Sequence, residues 1–192
     1  MPFIDSIAFM SYLAAFTKTI KLATGVLLLP QHEPLLMAKQ VASVDVLSKG
    51  RFILGIGVGG VAKEAEAIGA PMSERGSRAN EYLEAMLAMW TQEHPAYSGK
   101  HVNFDGIDAY PRPVQQPHPP IHLGGRSEGA LRRLVRYCSG WYGFAMTLDT
   151  TKEAIAAIAE AKAKDGSQRR AGLGDIEITV NPRDNVITPE VV

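Results

Sequence analysis

The segment Ile121-His122-Leu123-Gly124-Gly125-Arg126-Ser127-Glu128 joins an apolar run of strand length to a helical pattern through two glycines, a basic residue and a hydroxyl. Glycines let a backbone approach an anion closely, the first-turn N–H groups of a helix carry the positive end of its dipole, and Ser127 can cap the helix or offer its hydroxyl. That spacing offers phosphate cradling, with Arg126 adding a charge; the plainer reading of the same residues is a capped helix behind a tight turn. A second glycine group, Gly55-Ile56-Gly57-Val58-Gly59-Gly60, matches G-x-G-x-x-G at Gly55, Gly57 and Gly60 after an apolar run. A dinucleotide-binding unit needs a second strand ending in an acid about 20 residues further on. Here that window, Ser73 to Met89, has helical spacing. The group therefore reads as a glycine-rich strand end that lets something flat or anionic approach. Thr24-Gly25-Val26 interrupts an aliphatic run with a polar and a flexible residue, which marks either a bulge or close contact, or an accommodation of a neighbouring helix.

Other reactive side chains form no familiar constellation. Histidines 32, 94, 101, 118 and 122 lack metal-ligand spacing, because His118 and His122 are separated by Pro119-Pro120, where a helix cannot put them on one face. No metal site is expected. His32, in Pro30-Gln31-His32-Glu33-Pro34, follows a strand-like run, where α/β proteins present catalytic groups, although a surface histidine is the commoner case. Cys138 has the apolar neighbours Leu134 and Val135 and reads as a buried, inert thiol. Glu64, Glu66, Glu74, Arg75 and Arg78 flank the glycine-rich strand end; most such charges are a solvated face, but Arg78 could reach an anion.

The elements that would position these residues alternate along the chain. Residues 4–16 have helical spacing, Ile20 to Leu29 is a dense apolar run that predicts one buried parallel strand, 33–47 is helical again, and Arg51 to Gly57 is a second buried strand after a stop at Lys49-Gly50. Ser77 is the expected N-cap of a helix carrying Tyr82, Leu83, Met86, Leu87 and Trp90. Residues 92–119, rich in proline, read as an irregular excursion with a short hairpin around Asp105-Gly106, and such excursions often bind ligands. Strands at 120–123, 140–146 and 176–180 and helices at 127–138 and 151–163 complete an α/β pattern with five parallel strands. Starting with a helix and stopping after a strand predicts either a truncated gene product with missing ends or a five-stranded open sheet.

Composition bounds the function. The chain has 192 residues, 46% hydrophobic and 21% charged, with twenty basic and twenty acidic residues and one cysteine. These are globular values, and the absence of net charge leaves no field to attract nucleic acid or an anionic membrane. The longest apolar stretch, Gly25 to Pro30, is far short of the roughly 18 to 20 residues a membrane span needs. A lone cysteine and an N-terminus without a signal-peptide pattern predict a reducing cytoplasm, and the expected partner is a small molecule.

In chain order, Thr24-Gly25-Val26-Leu27-Leu28-Leu29-Pro30, Leu47-Ser48-Lys49-Gly50-Arg51-Phe52 to Gly59, Ala70-Pro71-Met72-Ser73-Glu74-Arg75-Gly76, Pro111-Arg112-Pro113-Val114-Gln115 and Pro119-Pro120-Ile121-His122-Leu123-Gly124-Gly125 resemble the bacterial luciferase-like monooxygenase family, most closely its coenzyme F420-dependent oxidoreductases. The resemblance runs from about Ile7 to Val180. It implies an α/β fold of TIM-barrel type, incomplete, with about five parallel strands, as one partial barrel domain over 1–192 interrupted by the excursion at 92–119.

The resemblance also implies a flavin or deazaflavin at the C-terminal strand ends. Gly25 and Val26 match the place where many relatives carry a non-proline cis peptide behind the ring, with Gly57 and Gly59 on the next strand. Gly125, Arg126 and Ser127 match the family's phosphate loop, and Arg78, less securely Arg75, the region of a phosphate-binding arginine. Gly59-Gly60 stands where many relatives have Gly-Trp, and Val58 where the luciferases proper have a phosphate-binding arginine, which favours coenzyme F420, with FMN the alternative cofactor. The family's acid or base often comes from strands outside this segment, so no catalytic residue is assigned. The implied activity is hydride transfer between F420 and an organic substrate, with an FMN-dependent monooxygenase or a non-catalytic interaction module as alternatives. Relatives commonly dimerise through helices matching 4–16 and 33–47, which predicts a homodimer.

Overall fold

A computed structural model describes residues 4–183. The chain divides into two compact units, Met1–His122 and Leu123–Val192.

In the first unit, helix α1 (Ser6–Phe16) is capped by the Asp5 carboxylate, which accepts from the Ala8 N–H at 2.8 Å. Helix α2 (Pro34–Ser48) starts with proline at its first position, where the missing N–H costs nothing, and the Glu33 side chain accepts from Leu36 N–H. It ends in two left-handed residues, Lys49 and Gly50, at the stop expected from the sequence. Strand β3 (Phe52–Gly57) is buried at all six positions, as an apolar run in a parallel sheet must be. The Arg51 guanidinium lies where the ends of both helices meet the start of β3. It donates to the carbonyls of Ala14, Thr17, Ile20 and Ser48 and to the Thr17 hydroxyl, over 2.7–3.2 Å. A guanidinium fork suits these orphan helix-end carbonyls and opposes the negative end of each helix dipole.

The expected single strand at 20–29 is instead two short ones, β1 (Leu22–Ala23) and β2 (Leu27–Leu28), both parallel to β3, followed by a 3-10 turn over Leu29–Gln31. The physical reason is Thr24. Its hydroxyl accepts from the Gly55 N–H at 2.9 Å and donates to the Gly55 carbonyl at 2.7 Å, so a side chain takes over the ladder bonds there. On the far side of β3, Leu54 N–H donates to the Pro120 carbonyl at the start of β6 (Ile121–Gly124), giving the order β1-β3-β6.

Helix α3 (Ala62–Ala67) was not anticipated. Helix α4 (Arg75–Thr91) starts earlier than its expected Ser77 cap. A 3-10 turn over Met72–Glu74 runs straight into it, so Ser77 falls within the first turn and its hydroxyl donates back to the Glu74 carbonyl. Its apolar face, with Leu83, Met86 and Leu87, is buried, and Trp90 donates its indole N–H to the Ala38 carbonyl of α2. The hairpin of the excursion is β4 (Tyr97–Ser98) with β5 (Asn103–Phe104), and its turn is closed by Gly99 N–H on the Val102 carbonyl. Asp105-Gly106 follows the hairpin rather than forming its turn. The reason is that His101 N–H is taken by the Glu81 carboxylate of α4, which fixes the turn earlier.

The rest of the excursion is anchored by Asp45 of α2, which is 0% exposed. Its carboxylate accepts from the backbone N–H of Val114 (2.8 Å) and Gln115 (3.0 Å) and from the Gln115 amide (2.6 Å), while the same amide reaches the Phe52 carbonyl. A buried carboxylate survives only when its lone pairs are filled in this way.

The second unit holds the end of β6, helix α5 (Glu128–Tyr137), strand β7 (Gly140–Met146), helix α6 (Leu148–Asp165) and strand β8 (Glu177–Pro182), in sheet order β6-β7-β8, with β7 and β8 parallel. Helix α6 begins before the expected Thr151, because Thr147 and Thr150 form a capping box. Cys138 is fully buried, and burial pushes its thiol up to about 12, so it is an inert packing residue. Five strands on the sheet path alternating with helices make this an α/β fold. Among the described residues no helix is long and apolar enough to cross a membrane.

Candidate functional site

In the second unit, the turn from β6 to α5 has the geometry its sequence suggests. Gly125 sits at φ +109°, a conformation side-chain-bearing residues rarely adopt, and its carbonyl accepts the Trp141 indole N–H at 2.9 Å, which fixes the turn to β7. Ser127 is the N-cap of α5, its hydroxyl oxygen accepting from the Ala130 N–H at 3.3 Å. Both alternatives for Ser127 are thus compatible, since a cap at this length leaves the hydroxyl proton for another acceptor. Arg126 is exposed and makes no hydrogen bond or ion pair among the described residues. The one nearby acid, Glu128, pairs with Lys164 at 3.3 Å. The result is a solvent-facing group of backbone N–H donors, one hydroxyl and one uncommitted guanidinium, which is what an anion needs.

In the first unit, the peptide bond Gly25-Val26 is cis. Gly25 and Val26 lie between β1 and β2, and the structure brings Val26 against Gly57 at the end of β3. A Cβ on Gly57 would lie 2.7 Å from Val26 Cγ2, and Gly59, at φ +78°, lies beside Gln31 and Leu28. Gly55 is needed for another reason, since a Cβ there would meet the Thr24 carbonyl oxygen. Gly60 has nothing within 4 Å of the Cβ position. The G-x-G-x-x-G match therefore dissolves into unrelated packing needs, and the window 20 residues on is α4, as its spacing implied.

Arg78, also in the first unit, belongs to a polar group that sequence reasoning found only in part. Its Nε donates to Glu74 Oε2 at 3.3 Å and its Nη1 to the Tyr82 hydroxyl at 3.1 Å, while Nη2 makes no hydrogen bond among the described residues. Burial works against the Arg78 charge, but the Tyr82 hydrogen bond and the Glu74 charge outweigh it and raise its pKa. Lys100 donates to Glu74 Oε1 at 2.8 Å, and that bond is the main reason the Glu74 carboxyl is held below its usual range. His101, its side chain only 4% exposed, places Nδ1 3.8 Å from Glu74 and Nε2 3.2 Å from the Ser77 hydroxyl. Arg75, the weaker candidate, turns its guanidinium back to the Met72 carbonyl. His32 is half-buried, and burial lowers its pKa. Arg78, Tyr82, His101 and His32 line one cavity of about 370 Å³. No group of three or more metal-ligating side chains occurs among the described residues.

A model of the luciferase-like monooxygenase family matches residues 2–183. The chain belongs to that family. An uncharacterized protein of Mycobacterium tuberculosis, Rv0953c, is 41% identical over 129 residues, which are 67% of this chain and 45% of that protein. An FMNH2-dependent dimethylsulfone monooxygenase of Pseudomonas putida is 33% identical over 141 residues, 72% of this chain and 38% of that one. Among solved structures, the coenzyme F420-dependent tetrahydromethanopterin reductase from Methanopyrus kandleri superposes with a TM-score of 0.76 at 21% identity, over 92% of this chain and 54% of that one. The chain thus spans about half the length of the relatives it matches. With the family assignment, the parallel α/β array is a luciferase-like barrel in part, and the two named enzymes it is similar to depend on FMNH2 and on coenzyme F420.

Residues that sequence reasoning missed are Asp45, Thr24 as a ladder substitute and Gly55 as its counterpart. For Asp45 a signal was present: an acid on the face of α2 that carries Val41, Ala42 and Val44, all buried.

Proposed function

We propose that this member of the luciferase-like family contributes to a coenzyme F420-dependent oxidoreductase site acting on a small organic substrate. When bound, the deazaflavin supplies hydride transfer at its C5 position. The residues present suit such a cofactor. In the first unit, taken by itself, Val26 packs where a Cβ on Gly57 would lie, so the strand end carries little side chain; in the second, Gly125, Arg126 and Ser127 offer N–H groups, a guanidinium and a hydroxyl to a phosphate. Arg78 keeps one arm of its fork for an anion. The observation that carries the reading is the β6–α5 turn, with Gly125 at φ +109° and Arg126 uncommitted. F420 is preferred over FMN because Val58 occupies the position where the luciferases proper have their phosphate arginine. An FMN-dependent monooxygenase is the second reading, favoured by the similarity to the Pseudomonas putida enzyme. Reduction of the lone cysteine fits a cytoplasmic setting.

Titration with F420 and, in parallel, with FMN, followed by cofactor fluorescence, tests this. Saturable F420 binding in the micromolar range is expected, weakened at least about tenfold by Arg126→Gln with Ser127→Ala, because a charge-assisted hydrogen bond contributes about 1.5–3 kcal/mol. Tighter binding of FMN, with oxygen consumption by its reduced form, would replace F420 by the monooxygenase reading. Binding of neither would favour a non-catalytic interaction module.

We also propose a homodimer. Tyr12 (61% exposed) and Phe16 (70%) meet on the surface of α1 with ring centroids 4.6 Å apart and planes tilted by 44°, and Leu36 and Leu47 are exposed on α2, an apolar display that water disfavours. Sedimentation should give a dimer mass that falls on dilution, and Tyr12→Glu with Phe16→Glu should give a monomer; a concentration-independent monomer mass for the unmodified chain would dispose of it.

A further inference from the structure

The cavity around Arg78 is built like a ligand site in its own right. At about 370 Å³ it falls within the range of small-molecule pockets, roughly 300–1,000 Å³. Pro30, Pro34, Ile68, Ala70 and Val102 give it apolar walls, and its polar groups converge from α4 and the β4–β5 hairpin. Among the described residues Arg78 is the one Lys or Arg side chain lining it, beside His32 and His101. Glu74 and Tyr82 hold the guanidinium by Nε and Nη1, so the fork is fixed in place with Nη2 still available. A preorganised guanidinium loses little freedom on binding, and Nη2 together with the Tyr82 hydroxyl proton gives one donor for each oxygen of a carboxylate. The remaining charges limit what can enter. Glu33 lines the cavity and Glu74 is shared between Arg78 and Lys100, so two carboxylates offset two cations and a second negative charge on the ligand would find no cation of its own.

We propose that this cavity binds a small monocarboxylate with an apolar body, its carboxylate on Arg78 Nη2 beside the Tyr82 hydroxyl and its body against Pro34, Ile68 and Val102. The site shares Arg78 with the cofactor reading but needs none of the glycine-rich residues, and because it is assayed without a cofactor its failure and the failure of that reading are told apart.

Benzoate is the probe, with benzamide as its neutral isostere and inorganic phosphate as the dianionic arm. Calorimetric titration of the full chain should give saturable one-site binding of benzoate, with chemical-shift changes centred on the His101 ring and Tyr82. Benzamide and phosphate should bind at least about tenfold more weakly. Arg78→Gln should abolish the benzoate isotherm and Tyr82→Phe should weaken it several-fold. Circular dichroism checks each variant, and if Arg78→Gln fails to fold, Tyr82→Phe and the benzamide comparison still decide. Equal affinity for benzamide, preference for phosphate, unchanged binding in Tyr82→Phe, or no saturable benzoate binding would each overturn the proposal.

Discussion

Asp45→Ala is expected to lower unfolding stability by about 4 kcal/mol, the largest effect foreseen for any single side chain outside the sheet. The carboxylate is 0% exposed and is the acceptor for three N–H groups, those of Val114, Gln115 and the Gln115 amide. Alanine leaves all three donors without it in a place water does not reach, and each such loss costs about 1–3 kcal/mol, with the total below the sum because the segment relaxes. The loss should appear as a lower urea midpoint and as faster proteolysis across residues 111–117, the stretch that Asp45 ties to α2. Asp45→Asn, which keeps one acceptor oxygen but turns an NH2 towards donors, should fall between the two. An unchanged urea midpoint for Asp45→Ala would mean that the excursion is held by something other than this hub.

Gly55→Ala is expected to cost about 3 kcal/mol or more, at the upper end of what overpacking a core strand does. Its new Cβ would meet the Thr24 carbonyl oxygen and lie 2.9 Å from the carbonyl carbon, and neither atom can rotate away as a side chain would. The strand would have to part from the Thr24 segment, breaking both hydroxyl bonds between Thr24 and Gly55. For a chain of this size 1 kcal/mol corresponds to about 2–4 °C in melting temperature, so a fall of roughly 6–12 °C is anticipated by calorimetry. Gly60→Ala, with open space around it, serves as the control and should melt close to the parent. Equal melting temperatures for the two variants would contradict the close approach.

The elements that could be read from the sequence are those whose signals are local. Strand β3 is apolar throughout because it is buried throughout, and Ser127 announces α5 because an N-cap acts within its own turn. Misreadings arose where a distant residue overrides a local pattern. Ile20 to Leu29 has one uninterrupted strand-like character, yet Thr24 diverts its hydroxyl to a residue 31 positions away and splits the run. Ser77 is a good cap by type, but the turn ahead of it was already helical. Asp105-Gly106 is a good turn by type, but Glu81 claims His101 and closes the hairpin earlier. The candidate site divides in the same way. The turn at Gly125 to Ser127, with its positive φ and its cap, lies within three consecutive residues and was legible, and Glu74 and Arg78 stood in one charged stretch, although their pairing was not foreseen. Lys100 and His101 reach Glu74 from a hairpin more than twenty residues on, and no spacing rule reports that.

Arg51 carries a consequence for how such a chain can diversify. Four of its five hydrogen bonds end on main-chain carbonyls, and only one on a side chain, the Thr17 hydroxyl. The joint therefore reads the path of the backbone and is blind to most of the residues that hang from it. Mutational drift can rewrite the outer surface of α1, and with it the set of molecules that surface recognises, while the helix keeps its berth.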